Sequence, residues 1–303
     1  MPGLLDKRLL IVSGKGGVGK TTVAAALALG AARAGKRTLV CEVNTEERVA
    51  RLLGHAAVGA EIAPLEENLW AVDVRPQESL KQYVLMIVRY ERIYKTVFEN
   101  KVVRYFLRFI PSVQELVMLG KILYHVKEKD EAGRYRFDTI VVDAPATGHA
   151  ITFLRVPQVL LDTVPPGQLA DDATWMRDLL VDPAITGAVL VSLPEEMPVN
   201  ETLELAQTLR NDVKVTPLAV VLNHFIPERF ADNDLAKLEG KPALISWVRG
   251  YLGRQRLSRD AEDKLKSLGL PIFRVPRLFD GAVDRPAMER VLGHLQPLLQ
   301  GVP

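Results

Sequence analysis

The chain has 303 residues, a formal net charge of +2 at pH 7, and hydrophobic residues at 48% of its positions. These values are typical of a globular protein, and the near balance of charge argues against nucleic-acid binding through a basic surface. Cys41 is the one cysteine, so the chain holds neither an intrachain disulfide nor a C-x-x-C pair, which fits a reducing, cytoplasmic setting.

The first predicted elements are a short apolar strand over 9–12, a glycine-rich loop, and an Ala/Leu-rich helix over 23–33. The strand is too short for a signal-peptide core or a membrane span, and no stretch predicts stable membrane insertion. The loop, GKGGVGKTT, matches G-x-x-x-x-G-K-[ST], whose N–H groups cradle phosphates while its lysine and hydroxyl serve the terminal phosphate and Mg²⁺. The predicted nucleotide-binding residues here are Gly14, Lys15, Gly16, Gly17, Val18, Gly19, Lys20, Thr21 and Thr22.

Six further apolar runs predict core strands. They cover residues 38–41, 69–72, 139–142, 188–192, 218–222 and 272–275. Most are continuous rather than alternating, as in strands buried on both faces of a parallel sheet, and helical patterns such as 201–210 and 286–299 lie between them. We therefore predict an α/β fold with a doubly wound, mostly parallel sheet.

Residues 77–135 depart from this pattern, with long helical periodicity and no clear strand. They predict a helical insertion in a core formed by 1–76 and 136–303, and an irregular stretch over 157–182 could join the insertion. Between residues 81 and 109 lie seven of the nineteen aromatic residues and seven basic residues against two acidic ones. The insertion either packs its own aromatic core under a solvated basic face or forms a nucleotide-gated surface for a hydrophobic client. Met86, Ile87 and Met118 would be adaptable contacts in the second case.

The predicted strand over 139–142 ends at Asp143, and the segment DAPATGH follows. An acidic residue at this position commonly holds the Mg²⁺ of a phosphate-loop protein through water, while the loop hydroxyl, here Thr21, ligates the ion. The alternative is that Asp143 caps the next helix. The turn at Pro145, Thr147 and Gly148 is expected to act as a switch that senses the terminal phosphate.

With Lys15 in the loop and DAPATGH after the predicted strand over 139–142, the sequence resembles the deviant phosphate-loop ATPases, most closely the ArsA-type family. That family includes the arsenite-pump ATPase and the tail-anchored-protein targeting ATPase. The resemblance implies a P-loop NTPase that binds ATP and Mg²⁺ as a dimer, with Lys15 reaching the phosphates of the partner subunit. It also implies that Asn223 hydrogen-bonds adenine and that Pro276 and Leu278 wall the base. From the residues alone, Lys15 could equally be a solvated loop lysine, and Asn223 could simply end a strand at a turn.

The sequence departs from the family pattern in ways that bear on activity. Asn44 stands where the family has its switch I aspartate; an amide can position water but cannot accept its proton, so we expect slow hydrolysis unless Glu42, Glu46 or Glu47 substitutes. The family's zinc-binding and arsenite-binding cysteines are missing, which disfavours an arsenite role and leaves any dimer to be held by nucleotide and protein surface. His149 fits a helix-start or switch residue better than a metal ligand.

The leading functional hypothesis is therefore an ATPase that acts as a dimeric switch and gates a client through its helical subdomain. Lys15, Lys20, Asn44 and Asp143 are its expected catalytic residues. The dimer could be a homodimer or a heterodimer with a related subunit. One alternative is a MinD/ParA-like partitioning ATPase acting on a membrane or DNA, although the apolar stripe of the last helix favours core packing. Another is a slowly hydrolysing, nucleotide-binding regulatory subunit.

Overall fold

The structure is a computed structural model, and it describes residues 3–43, 48–79, 113–238, 240–278 and 284–301. Within these residues, eight strands form one sheet in the order β3-β4-β2-β5-β1-β6-β7-β8. The strands are β1 (Leu9–Gly14), β2 (Thr38–Val43), β3 (Ala63–Glu66), β4 (Leu69–Val74), β5 (Thr139–Asp143), β6 (Thr186–Ser192), β7 (Pro217–Phe225) and β8 (Ile272–Pro276). All neighbouring strands are parallel except β3, which is antiparallel to β4. The doubly wound α/β prediction is confirmed.

Helices cover both faces of this sheet. They are α1 (Lys20–Arg33), α2 (Arg48–Leu52), α3 (Val113–Lys127), α4 (Thr147–Leu161), α5 (Gln168–Val181), α6 (Glu196–Thr208), α7 (Pro242–Leu265) and α8 (Arg285–Gln300). One apolar cluster joins the sheet to α1, α2 and α8, and a second joins it to α3, α4, α5, α6 and α7. Two helical layers therefore enclose the strands, which explains their uninterrupted apolar sequences.

All seven strands predicted from apolar runs are present, and β3 is the strand that the sequence did not indicate. It has only four residues, includes Pro64, and pairs irregularly with β4 at the edge of the sheet. Proline cannot donate to the sheet ladder, so a short edge strand is the place where a sheet tolerates it. The apolar signal of β3 was too short to separate from a loop.

Helices α4 and α5 occupy most of residues 157–182, which we had expected to be irregular. Pro157 lies inside α4, and the helix continues to Leu161. The break between the helices contains Pro165, Pro166 and Gly167, and Gly167 is the N-cap of α5. The prolines and glycine mark a connection between two helices rather than a long irregular segment.

The described part of the predicted insertion includes α3, which packs against the sheet rather than apart from it. Leu119, Ile122 and Leu123 of α3 are almost fully buried in the same cluster as β2 and β5. Met118 is also buried, so it is not exposed for a client, because its side chain is part of this core. Met86, Ile87 and the seven aromatic residues between 81 and 109 lie outside the described residues. The subdomain boundaries remain a prediction.

The last helix packs on the helix that follows the glycine loop. The apolar side chains on one stripe of α8 are buried against the cluster that contains α1: Val291, Leu292, Leu295, Leu298 and Leu299. The expected core packing of this stripe is confirmed. Among the helices in the described ranges, none combines the length and the apolar character needed to cross a bilayer.

Candidate functional site

The glycine loop joins β1 to α1 at the centre of the sheet. Strand β1 lies between β5 and β6, and its last residue is Gly14. Because β5 is parallel to β1, with Val12 opposite Asp143, the carboxyl ends of both strands meet at the same edge. Ligands of open α/β sheets bind outside this edge. The two motifs found in the sequence are therefore brought together by the sheet itself.

The glycine loop ends at the start of α1. Gly19, the N-cap residue of α1, has φ +94°, a left-handed conformation that favours glycine, and it makes no side-chain capping hydrogen bond. The first backbone N–H groups of a helix have no partner within the helix, and the helix dipole makes this end positive. An anion such as phosphate is the ligand that satisfies both properties.

Lys20 places a partly buried positive charge at this helix start. Its ammonium donates to the backbone oxygen of Lys15 at 3.2 Å, and within the described part of the chain it forms no ion pair. Burial lowers the pKa of Lys20, and the nearby charge of Asp143 opposes that effect. A bound phosphate would supply the missing anionic partner.

Thr21 and Asp143 contact each other although 122 positions separate them in the sequence. The Thr21 hydroxyl Oγ1 donates to Asp143 Oδ2 at 2.6 Å. The other carboxylate oxygen, Oδ1, is buried, and none of the described residues donates a hydrogen bond to it. Burial raises the pKa of Asp143 to about 6, against the opposing effects of Thr21 and Lys20. A hydroxyl beside a carboxylate with an unused oxygen is a donor set that suits Mg²⁺, so these residues fit the expected ion.

A cavity of about 380 Å³ opens beside these groups. Its polar lining includes Lys20, Thr21, Asp143 and His149, and Phe153 lies on its apolar side. It is bounded by the first turns of α1 and α4 and by the end of β5. A terminal phosphate held by the loop would have room here.

Two more acidic residues stand in register with Asp143. Glu42 on β2 lies opposite Asp143 on one side and Asp73 of β4 on the other, and all three are almost fully buried. Directly opposite residues of neighbouring strands face the same side of a sheet and are about 5 Å apart. The three carboxylates therefore form an acidic row at the carboxyl edge of the sheet.

Glu42 has a structural task that limits its availability as a substitute for the switch I aspartate. Its Oε1 accepts hydrogen bonds from the backbone N–H groups of Arg48, at 2.7 Å, and Val49, at 3.0 Å. It thereby caps the start of α2. Asn44, Glu46 and Glu47 lie outside the described residues, so their proposed roles stay predictions.

Lys15 makes an ion pair inside its own chain. Its Nζ contacts Oε1 of Glu201 on α6, and both side chains are about one-third exposed, at 32% and 28%. The second oxygen of Glu201 accepts a hydrogen bond from Thr147 Oγ1 at 3.3 Å. Sequence reasoning missed Glu201, since no motif marks it and 186 positions separate it from Lys15.

Thr147, Gly148 and His149 form the first turn of α4, directly after the DAPA segment. Gly148 and His149 are exposed, and His149 lines the cavity beside Asp143. The placement of His149 at a helix start agrees with the sequence-based interpretation. In the described residues, no cluster of three His, Cys, Asp or Glu side chains could hold a metal ion.

Asn223 lies under the loop and is tied to it. Its Nδ2 donates to the Val18 carbonyl at 2.8 Å, and its Oδ1 accepts from the His224 N–H at 2.9 Å. The amide is buried, and each end keeps capacity for one further hydrogen bond. Pro276 ends β8 beside β7, which carries Asn223.

The remaining predicted base contact, Leu278, packs against the cluster that contains α1. It follows the end of β8, on the same side of the sheet as α8. The structure thus brings Asn223 to the loop and Pro276 to the neighbouring strand end. The adenine contacts of all three residues stay predictions.

Comparison with known proteins identifies relatives of this arrangement. The family model described as anion-transporting ATPase matches residues 7–165 and 166–244. The ATPase BagA of Mycobacterium tuberculosis is 31% identical over 237 residues, covering 76% of this chain and 68% of BagA. A putative arsenical pump-driving ATPase of Halobacterium salinarum is 26% identical, covering 75% of this chain and 37% of that protein. The ATPase GET3 of Lachancea thermotolerans is 23% identical, covering 74% and 73%.

Proposed function

Since the chain belongs to the ArsA-type family of anion-transporting ATPases, we propose that it hydrolyses ATP with Mg²⁺ and acts as a dimeric switch. The observation that carries the proposal is the meeting of the glycine loop with Asp143. An open helix start, a partly buried lysine and a hydroxyl-carboxylate pair surround one cavity. These are the groups that phosphoryl transfer to water requires, because it depends mainly on positioning and charge stabilisation.

In this proposal, each group has a separate task. The N–H groups of the loop and of the first turn of α1 bind the phosphates, and Lys20 stabilises the charge that develops on the transferred group. Thr21 and Asp143 hold Mg²⁺, Asp143 through water. When bound, the ion neutralises phosphate charge. The carboxylate of Asp143 must be ionised for this task, which its pKa of about 6 permits at neutral pH.

Asn44 would position the attacking water. Because an amide cannot accept the proton of that water, we propose that hydrolysis is slow. Asn223, Pro276 and Leu278 would contact the base. Gly148, at the start of α4, would sense the terminal phosphate, and the α4 start would move when that phosphate leaves.

The proposal also includes dimerisation and the gating of a client. Lys15 would reach the phosphates of a second subunit, either another copy or a related chain. The helical subdomain would then change its exposure to a hydrophobic client. ATP can drive such a change only through contacts that are better in the closed state than in the open one.

The test is single-turnover ATP hydrolysis and ATP binding by the wild type, Lys20→Ala and Lys264→Ala. Lys264 is an exposed lysine on α7 and serves as a matched control for loss of one positive charge. Loss of a charged hydrogen bond to phosphate is expected to weaken binding about 10- to 100-fold in Lys20→Ala. Hydrolysis no faster than in buffer would refute the enzyme proposal, and equal affinities in both variants would refute the role of Lys20.

Light scattering with ATP, ADP or no nucleotide tests the dimer. A mass that doubles with ATP alone supports the switch. A mass that does not change with ATP would exclude an ATP-dependent homodimer. The heterodimer would then be tested by adding a related subunit. A pull-down with and without ATP, read by mass spectrometry, tests whether retained proteins depend on nucleotide.

A further inference from the structure

Glu201 connects two segments that would both contact phosphate. One of its carboxylate oxygens contacts the Lys15 ammonium in the glycine loop. The other accepts a hydrogen bond from Thr147, the first residue of α4. A single side chain thus bridges the loop and the start of the switch helix.

The surrounding elements hold Glu201 in this position. Helix α6, which carries it, begins shortly after β6, the strand beside β1. The same helix contacts β1 and α4. On the loop side, Lys20 donates to the carbonyl of Lys15, so the two loop lysines and α6 belong to one hydrogen-bonded network.

We infer that Glu201 is a positioning residue that holds Lys15 within its own protomer until phosphate displaces it. This inference rests on the proposed function, because Glu201 would compete for Lys15 with the phosphate of a bound nucleotide. A carboxylate and a phosphate compete for the single positive charge of the same ammonium, so contact with one weakens binding to the other. Release of Lys15 also removes one of the two side-chain contacts that Glu201 makes among the described residues, and thereby changes the restraint on Thr147 at the start of α4.

The size of the effect follows from the exposure of the pair. Both side chains are about one-third exposed, so the ion pair is expected to contribute little to global stability. Its competition with phosphate should change ATP affinity by about two- to fivefold. Such a change is measurable, and it separates a local restraint from a role in folding.

The first experiment measures the ion pair in the nucleotide-free protein. Lysine acylation by an amine-directed reagent is followed by peptide mass spectrometry in the wild type, Glu201→Gln and Glu204→Gln. Glu204 lies on the same helix and is exposed, so it controls for loss of one carboxylate from α6. Lys15 should be modified faster in Glu201→Gln alone, because an amine held against a carboxylate is shielded. Equal Lys15 rates in all three proteins would overturn the inference.

The second experiment measures ATP affinity in a double-mutant cycle of Lys15→Ala and Glu201→Gln. Glu201→Gln should bind ATP about two- to fivefold more tightly than wild type, and the gain should vanish in the Lys15→Ala background. A gain that persists without Lys15, or no gain at all, would overturn the competition. Midpoints of urea unfolding should be nearly the same for the variants and the wild type, because exposed ion pairs contribute little to stability.

The two measurements separate this inference from the proposed function. If no variant binds ATP, the proposed ATPase fails, while the labelling rates still decide whether Glu201 restrains Lys15. If the wild type binds ATP and the Lys15 labelling rates are equal, the ATPase stands and the restraint fails.

Discussion

Replacing Asp143 with asparagine should stabilise the folded chain while it removes the proposed ion site. The carboxylate is almost fully buried, and burial raises its pKa from 3.8 to about 6. Folding therefore carries a charge into a site that disfavours it. Asparagine keeps the size of the side chain and an oxygen that can accept from Thr21, but it carries no charge.

The destabilisation caused by the buried Asp143 carboxylate depends on pH. Well below pH 3.8 the carboxyl group is protonated in the folded and unfolded chain alike, so its burial costs no ionisation energy. As pH rises from 3.8 to about 6, the wild type loses stability, because the unfolded chain ionises first; above about 6 the loss is complete. At about 1.4 kcal/mol per pKa unit, this cost is about 2 kcal/mol at pH 5 and about 3 kcal/mol at pH 8.

The amide of the variant offsets part of this gain. Its NH₂ group would replace Oδ1, which has no hydrogen-bond donor or acceptor among the described residues, so the unsatisfied amide costs about 1 kcal/mol. That cost does not depend on pH. The net gain of Asp143→Asn in the free energy of unfolding should therefore be about 1 kcal/mol at pH 5 and about 2 kcal/mol at pH 8.

Urea denaturation without nucleotide or divalent ions, at pH 5 and pH 8, measures both values. Asp212→Asn is the matched control, since Asp212 is exposed, and its effect should be near zero at both pH values. A variant that is less stable than wild type at pH 8, or a gain that does not grow with pH, would refute the reasoning. With ATP and Mg²⁺ added, the wild type should gain stability that the variant does not, because the stabilising ligand site is lost.

The remaining predictions concern close packing at two glycines. Gly19→Ala places a Cβ 2.3 Å from Asn223 Nδ2, and the backbone there has φ +94°, which alanine rarely adopts. Urea denaturation should therefore show a free energy of unfolding that is lower by about 2 to 4 kcal/mol. Gly35→Ala, at φ +81° with open space around it, should lower the free energy of unfolding by only about 1 kcal/mol. Equal losses in Gly19→Ala and Gly35→Ala would contradict a steric clash at Gly19. Gly30→Ala places a Cβ 2.3 Å from Leu299 Cδ1, so thermal denaturation should show a loss of about 1 to 3 kcal/mol, and wild-type stability would exclude tight contact between α1 and α8.

The sequence indicated the sheet well because most of its strands are buried on both faces. Continuous apolar runs identified all the parallel strands, including the edge strand β8. The other edge strand, β3, has only four residues, includes Pro64 and pairs irregularly with β4, so it has no such run. Local sequence therefore predicts an edge strand only where the strand has a clear apolar run of its own.

The candidate site was predictable only where a motif marked it. The loop and Asp143 follow strands whose parallel pairing forces them together, so their meeting could be inferred from the sequence. Glu201 could not, since its contact with Lys15 depends on how α6 packs beside β1 and α4. Asn223 was expected at the base, and its additional tie to the Val18 carbonyl also depends on tertiary packing.

The acidic row of Asp73, Glu42 and Asp143 has a consequence for ligand selection. Three buried carboxylates at one sheet edge lower the local electrostatic potential, and the ion pair of Asp73 with Arg75 offsets part of this effect. Free ATP, which is itself polyanionic, would meet repulsion there, whereas a nucleotide that arrives with a divalent cation brings the compensating charge. If the proposed ATP site is correct, we expect this row to favour nucleotide complexed with a divalent cation over metal-free nucleotide.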